Sequence, residues 1–373
     1  MSSSFLILVG SFTPFISTLN FTTFPTPSLS LVSQTASGTS PSWLLSHLRN
    51  SSIFYATDET DNGALHSLVV DPVTGKVAPV SSISTQGGSP THISFVANGT
   101  GLGVANYGGG SAFFTTLQDD GLHFGEGQLV KFDQAQSSNA HQIVDDGTQV
   151  LVPDLGADRV WRLNQLGSDQ WSIQGSIPQP TGSGPRHLVV DDGSIYTLHE
   201  HANTLNQQTV ASSFADGQPA EIASISIVPS DTPSGATLFA GEVLMASTPS
   251  PLIYASNRDD PSSAGDAIAI FETNPLTKVA EVRTGLNHLR GVAFVGEDNA
   301  YLIAGGMKGG GIKIYERVSA ELGYLKEVAS LATGVVDQPS SFIWIRWFGD
   351  FYPTAGRYVD DKDDDAGCAH RIA

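Results

Sequence analysis

Three arginines and three histidines carry the chemistry most worth following in this chain. Arg186 sits in GPRHLVV, Arg258 in YASNRDD and Arg290 in NHLRGVAF. A guanidinium presents paired donors in one plane, which suits bidentate binding of a carboxylate or phosphate. The chain holds 11 Arg in all, so three at related positions is a concentration. His92 in SPTHISF, His141 in NAHQIV and His187 in GPRH add imidazoles, whose free pKa lies near neutrality and fits acid–base work. Glu200 in HEH could activate water or orient a neighbouring His. The set therefore points to proton transfer beside a small anion: His141, Glu200 and Arg186 as catalytic candidates, with Arg258, His187, Arg290, His92 and Asn106 as substrate-binding candidates.

Each residue also has a plainer reading. Arg258 could pair with Asp259 and Arg186 with Asp191, and a lone His at a strand end is often just hydrogen-bonded. Asp154 in VPDLGADRV could cap a turn. The runs Gly108–Gly110 and Gly309–Gly311 lack the P-loop pattern and fit hairpin turns. No GxSxG elbow occurs, and the one Cys, Cys368, lies near the C-terminus, so a nucleophilic Ser or Cys is poorly supported. HEH on a strand sends His199 and His201 to the face opposite Glu200. It is not the HExxH of a zinc site, and neither a metal nor a cofactor is expected.

The elements that must position these groups come from internal repetition. A turn followed by a short apolar strand begins near Ser40, Ser89, Asn139, Gly184, Gly241, Asn287 and Gln338, at spacings of 45–57 residues. A second apolar strand follows each of the first six starts, as in IFYATDE, LGVANYGG and LIYASNRDD, and two more usually come after it. Short strands between Gly/Pro/Asn/Asp clusters, four per unit and seven units, specify an all-β fold, a seven-bladed β-propeller of four-stranded blades. FLILVGSF precedes the first repeat and should close the ring by joining the last blade beside SFIWIRW. In such a ring the first-strand starts and second-strand ends crowd one mouth of the central channel. Aligning the starts gives a column of Trp43, His92, His141, His187, Arg290 and Ser341, with Arg186 one place earlier. Aligning the ends puts Glu200 with Asn106, Asp154 and Asn257. These columns predict a local positive well that draws in an anion by field focusing.

Composition narrows the partners. The chain has 373 residues, with 18 Lys+Arg against 37 Asp+Glu and a formal net charge of −19. That balance opposes nucleic-acid binding, which needs clustered cations against phosphate, and a polybasic membrane anchor. No apolar run approaches the ~20 residues needed to span a bilayer. The N-terminal apolar stretch is short and lacks a preceding Lys or Arg, so it reads as a strand rather than a signal peptide. The expectation is a cytoplasmic monomer, with secretion left open. Residues 1–352 form the propeller, and 353–373, with five Asp between Asp360 and Asp365, form an acidic tail.

Taken together, ILVGSFT (7–13), PTHISF (90–95), VANYGGGS (104–111), HQIVDDGTQVLVPDLGADRVWRL (141–163), GPRHLVV (184–190), YASNRDD (254–260) and LRGVAF (289–294) resemble the seven-bladed propeller lactonase family. That family includes propeller-type 6-phosphogluconolactonases and fungal carboxy-cis,cis-muconate cyclases. The resemblance implies a cofactor-independent enzyme acting on a small anionic substrate at the propeller mouth, with His141, Arg186, Glu200 and Arg258 at the matching site positions. The chain has His199-Glu200 where the lactonases usually have an NE pair, and Ala304-Gly305-Gly306 where they have a polar strand end. NYGGGS and PDLGADRV are closer to the lactonase branch. Three functions stay open: lactone hydrolysis, cycloisomerisation of an unsaturated polycarboxylate on the same residues, and a non-enzymatic propeller that binds protein.

Overall fold

The computed structural model describes residues 4–132, 138–167, 170–210, 219–247 and 251–345. The proposed tail at 353–373 and the domain end at residue 352 lie outside the described residues.

The second strand of each blade is a short apolar run because it is covered on both faces. Ile7–Leu8–Val9 and Leu151–Val152 are fully or almost fully buried. Outer strands alternate instead; Val77–Ser84 buries few of its residues and turns the others toward solvent. Four such strands make one twisted sheet, and the described residues form seven antiparallel four-stranded sheets. The innermost strands begin the blades in chain order: Leu44–Ser46, Pro90–Val96, Val144–Asp145, Pro185–Asp191, Phe239–Ala246, Asn287–Val295 and Pro339–Ile345. We number the blades one to seven in that order.

Cores lie between neighbouring blades. Ile7, Leu19 and Phe21 of blade seven, for example, pack on Val295, Ile303 and Ile314 of blade six. Each side chain of this kind contributes roughly 1.5–3 kcal/mol by leaving water. No described helix is long and apolar enough to cross a membrane.

Blade seven closes the ring as expected. Its strands run Pro339–Ile345, Ser4–Ser11, Phe15–Thr22 and Ser28–Ala36, with Ile7 opposite Trp344 on one side and Leu19 on the other. Gly10 sits at this seam, opposite Ser341. A Cβ there would come within 2.5 Å of Ser341 Oγ and 2.6 Å of the Pro41 carbonyl. Gly10→Val should therefore destabilise the protein by about 1–3 kcal/mol through overpacking, read as a lower denaturant midpoint at unchanged slope. An unchanged midpoint would mean that the seam is loose.

Candidate active site

The innermost strands carry one extra residue each as they leave the mouth. In blade two, Pro90 pairs with Asn106 and His92 with Ala105, leaving Thr91 unpaired. The same shift leaves Arg186 out in blade four, Arg290 in blade six and Ser340 in blade seven. In blade three His141 follows Ala140, which bridges Asp154, and one residue is again in excess before Val144 pairs with Leu151. A bulge re-aims its side chain, and here Ser42, Thr91, His141, Arg186, Arg290 and Ser340 line one central cavity. The residues just after the bulge form a second layer, Trp43, His92, His187 and Glu242, of which Trp43 and Glu242 also reach the cavity.

This register differs from the alignment of the sequence. His141 and Arg290 belong with Arg186 and Thr91, while His92 and His187 stand one layer deeper. The second-strand ends shift as well. Pro185 faces His199, as Pro90 faces Asn106 and Ala240 faces Asn257. His199, not Glu200, is the counterpart of Asn106, Asp154 and Asn257. These four residues bind their own blade or the loop beside it. Asn106 donates to the Thr85 carbonyl (3.0 Å), Asp154 accepts from Trp161 Nε1 (2.8 Å), His199 Nε2 meets Gln179 Oε1 (2.9 Å), and Asn257 accepts from the Ala267 amide (2.6 Å). Glu200 comes one residue later, past the strand end, at the level of Tyr107 and Arg258.

Glu200 is clamped by two guanidiniums. Its Oε2 lies 3.0 Å from Arg186 Nε and 2.7 Å from Arg258 Nη2. Burial opposes its ionisation, but Arg258 and Arg186 outweigh this and hold the carboxyl below its ordinary range. Arg258 also donates from Nε to the Ala240 carbonyl (3.1 Å). Burial and the neighbouring Arg186 bring its own pKa down to about 10. Arg186 is buried, donates to the Gly241 carbonyl (2.5 Å) and pairs with Glu242 Oε1 (3.1 Å). Arg290 stacks over Phe12 at 4.7 Å and has Glu59 3.9 Å away.

Two acidic partners did not figure among the sequence candidates. Glu242, buried in GEVLMAS, pairs with Arg186 and, at 2.6 Å, with His187 Nδ1. Glu59 lines the cavity, and burial raises its pKa. Ionised Glu59, Glu200 and Glu242 formally balance Arg186, Arg258 and Arg290. The expected positive well is thus a neutral lattice of buried pairs, with a positive excess only when Glu59 takes a proton. A sequence signal for the register does exist. Pro41-Ser42-Trp43, Pro90-Thr91-His92, Pro185-Arg186-His187 and Pro339-Ser340-Ser341 align on proline. That alignment separates the two layers.

The structure brings His141, Arg186, Glu200, Arg258 and Arg290 together at the mouth. It does not bring His92, His187 or Asn106 to the cavity wall. His92 lies against Trp43 with ring centres 4.4 Å apart, and faces the hollow on the far side of the ring. His187 stands behind His141, its Nε2 3.0 Å from His141 Nδ1. Burial first, then nearby cations, keep His92 and His141 well below the ordinary imidazole value. His141 is therefore neutral at pH 7. The enclosed space among the lining groups is about 10 Å³, room for about one water molecule. A sugar-sized molecule would have to sit above it, toward Tyr107, Glu200 and Arg258. Larger hollows between blades two and three (about 800 Å³) and at the opposite mouth (about 710 Å³) contain no arginine among the described residues. No group of three described His, Cys, Asp or Glu is arranged to hold a metal ion.

Comparison with known proteins gives a consistent picture. A family model described as lactonase, seven-bladed β-propeller, matches residues 6–343. An Arthroderma benhamiae protein named "Probable 6-phosphogluconolactonase" is 26% identical over 360 residues, covering 91% of this chain and 88% of the relative. The 6-phosphogluconolactonase of Bacillus subtilis is 24% identical over 285 residues, 72% of this chain and 78% of its own. Among solved structures, the periplasmic gluconolactonase of Pseudomonas aeruginosa superposes with a TM-score of 0.77 at 21% identity. It covers 92% of this chain and 99% of the other, and shows the shared fold.

Proposed function

The chain belongs to the seven-bladed β-propeller lactonase family, and from that premise we propose that it hydrolyses a small anionic sugar-type lactone, of the 6-phosphogluconolactone kind, at the mouth built from blades three to six. The observation that carries the reading is the meeting of one neutral imidazole, His141, with the guanidiniums of Arg186 and Arg290 around a space of single-water size, and of Arg258 beside it through the shared Glu200.

His141 Nε2 takes a proton from water as its oxygen adds to the lactone carbonyl. The tetrahedral oxyanion is held by Arg186, whose buried guanidinium is fixed in place beforehand by Glu200, Glu242 and the Gly241 carbonyl. The ring C–O bond then breaks, His141 returns the proton to the departing oxygen, and the hydroxy acid leaves. Arg258 and Arg290 hold the anionic group of the substrate. Glu200 is a weak base between two arginines, and its role is to hold Arg186 and Arg258 in place. The substrate anion competes with Glu200 for these donors, so binding rearranges pairs rather than filling an open positive site.

A paired assay tests this. One arm follows acid release from 6-phosphogluconolactone and glucono-δ-lactone above the spontaneous rate. The other follows diene absorbance of 3-carboxy-cis,cis-muconate. Catalysed hydrolysis without diene loss is expected. Diene loss without hydrolysis would move the protein to cycloisomerisation, and silence in both arms from folded protein would remove the reading.

A further inference from the structure

We propose that Glu242 is a positioning residue that fixes the tautomer of His141 through His187, leaving His141 Nε2 as the unprotonated nitrogen. The inference rests on the reading of His141 as the base. Its starting point is a linear run of buried groups: Glu242 Oε2 to His187 Nδ1 at 2.6 Å, then His187 Nε2 to His141 Nδ1 at 3.0 Å. All three residues are at most 4% exposed, so the polar atoms of this run must satisfy one another.

Only one proton pattern does so. Burial opposes the charge on Glu242, but His187 and Arg186 hold its carboxyl down at about 2. The carboxylate is an acceptor only, and His187 Nδ1 must carry the hydrogen. Burial keeps His187 below the ordinary imidazole value even beside Glu242. A neutral ring with Nδ1–H has an acceptor at Nε2, and two donors converge there: Arg186 Nη1 at 3.3 Å and the ring nitrogen of His141. Hence His141 Nδ1 is the donor and carries that ring's hydrogen. His141 Nε2 has no hydrogen bond to any described residue, and the ring lines the cavity. The opposite pattern would aim two lone pairs at each other across 2.6 Å between Glu242 and His187, with Arg186 N–H facing an imidazole N–H.

The test uses Glu242→Gln. Arg186 Nη1 requires an oxygen at the Oε1 position, 3.1 Å away. The amide nitrogen then faces His187 Nδ1 and donates to it. That reverses the run and puts the hydrogen on His141 Nε2. The expected result is a fall in kcat of about 10²- to 10⁴-fold with KM little changed, by analogy with loss of the carboxylate behind a catalytic imidazole. Glu242→Asp, which keeps the carboxylate, should recover part of the loss.

The readout that a purely structural role would not move is nitrogen NMR of the full chain labelled at histidine, with His141 assigned by its disappearance in His141→Asn. Wild type should show a protonated Nδ1 and a bare Nε2, and Glu242→Gln the reverse. A wild-type His141 protonated at Nε2 overturns the inference without any variant. Full kcat in folded Glu242→Gln overturns it while His141→Asn is inactive. If His141→Asn itself hydrolyses normally, it is the proposed function that fails, whatever the tautomer.

Discussion

His141→Asn should lower kcat for lactone hydrolysis by roughly 10²- to 10⁴-fold, the usual worth of a placed general base, while KM and melting temperature stay close to wild type. Asparagine is the informative replacement because its amide nitrogen falls where Nδ1 stands. It can still donate to His187 Nε2, 3.0 Å away in the wild type, so the buried run keeps its hydrogen bond and only Nε2 is lost. The same residue sets the pH profile. His141 is pushed well below the ordinary imidazole value by burial and by the field of Arg186, Arg290 and Arg258. His187, behind it, is also depressed, and Glu242 and Glu200 stay ionised. A base works when unprotonated, so kcat/KM should hold flat on going down through pH 6.5 and decline only below it. An acid limb centred at or above 6.5 would mean that another group is the base. Unchanged kcat in His141→Asn would move base catalysis away from this ring.

Arg186 predicts a different signature, because it is both catalytic candidate and buried tie. Arg186→Met leaves Glu200 with Arg258 alone and Glu242 with His187 alone. Breaking one side of a buried ion pair costs about 3–5 kcal/mol, so this variant should be strongly destabilised. Arg186→Lys keeps the charge but not the planar fork that now reaches the Gly241 carbonyl, Glu200 and Glu242 together. It should fold with a smaller penalty and still lose about 10²- to 10³-fold in kcat/KM, the size of one oxyanion donor.

The linked pH effect has a definite sign. Glu242 titrates at about 2 in the folded protein against an ordinary value of 4.5. Its contribution is complete above about 4.5 and is lost as pH falls toward 2. Removing Arg186 takes away one of its stabilising partners, so acid unfolding of Arg186→Met should begin at higher pH than in wild type. Identical acid midpoints for the two proteins would show that Arg186 does not hold Glu242 ionised, and wild-type kcat/KM in Arg186→Lys would remove it from oxyanion binding.

The fold was legible because repetition multiplies a weak signal. No single strand of this chain is diagnostic, but seven starts at 45–57 residues leave few alternatives, and the closure by residues 4–11 follows once one blade lacks a strand. The candidate site was legible by residue type and less so by register. Bulges shift the pairing by one residue without leaving a mark in hydrophobic periodicity, so His141 and His187 fell into one column although they stand in different layers. Glu242 went unrecognised for a related reason. It follows Gly241 inside an apolar strand, and in sequence it has no partner near it: Arg186 and His187 lie 56 and 55 positions earlier. Long-range pairing of buried charge is a property of the closed ring, and only the assembled blades bring these groups together.

That closure also fixes the order in which the molecule can be completed. Ser4–Ser11 leaves the ribosome roughly 330 residues before its second neighbour, Pro339–Ile345. At ~5–20 residues per second of synthesis, the N-terminal three-stranded piece waits on the order of 15–70 s with an apolar edge unpaired. Throughout that interval it is a template for pairing with any other strand. The strand Ser4–Ser11 is thus made long before the partner that covers its second edge.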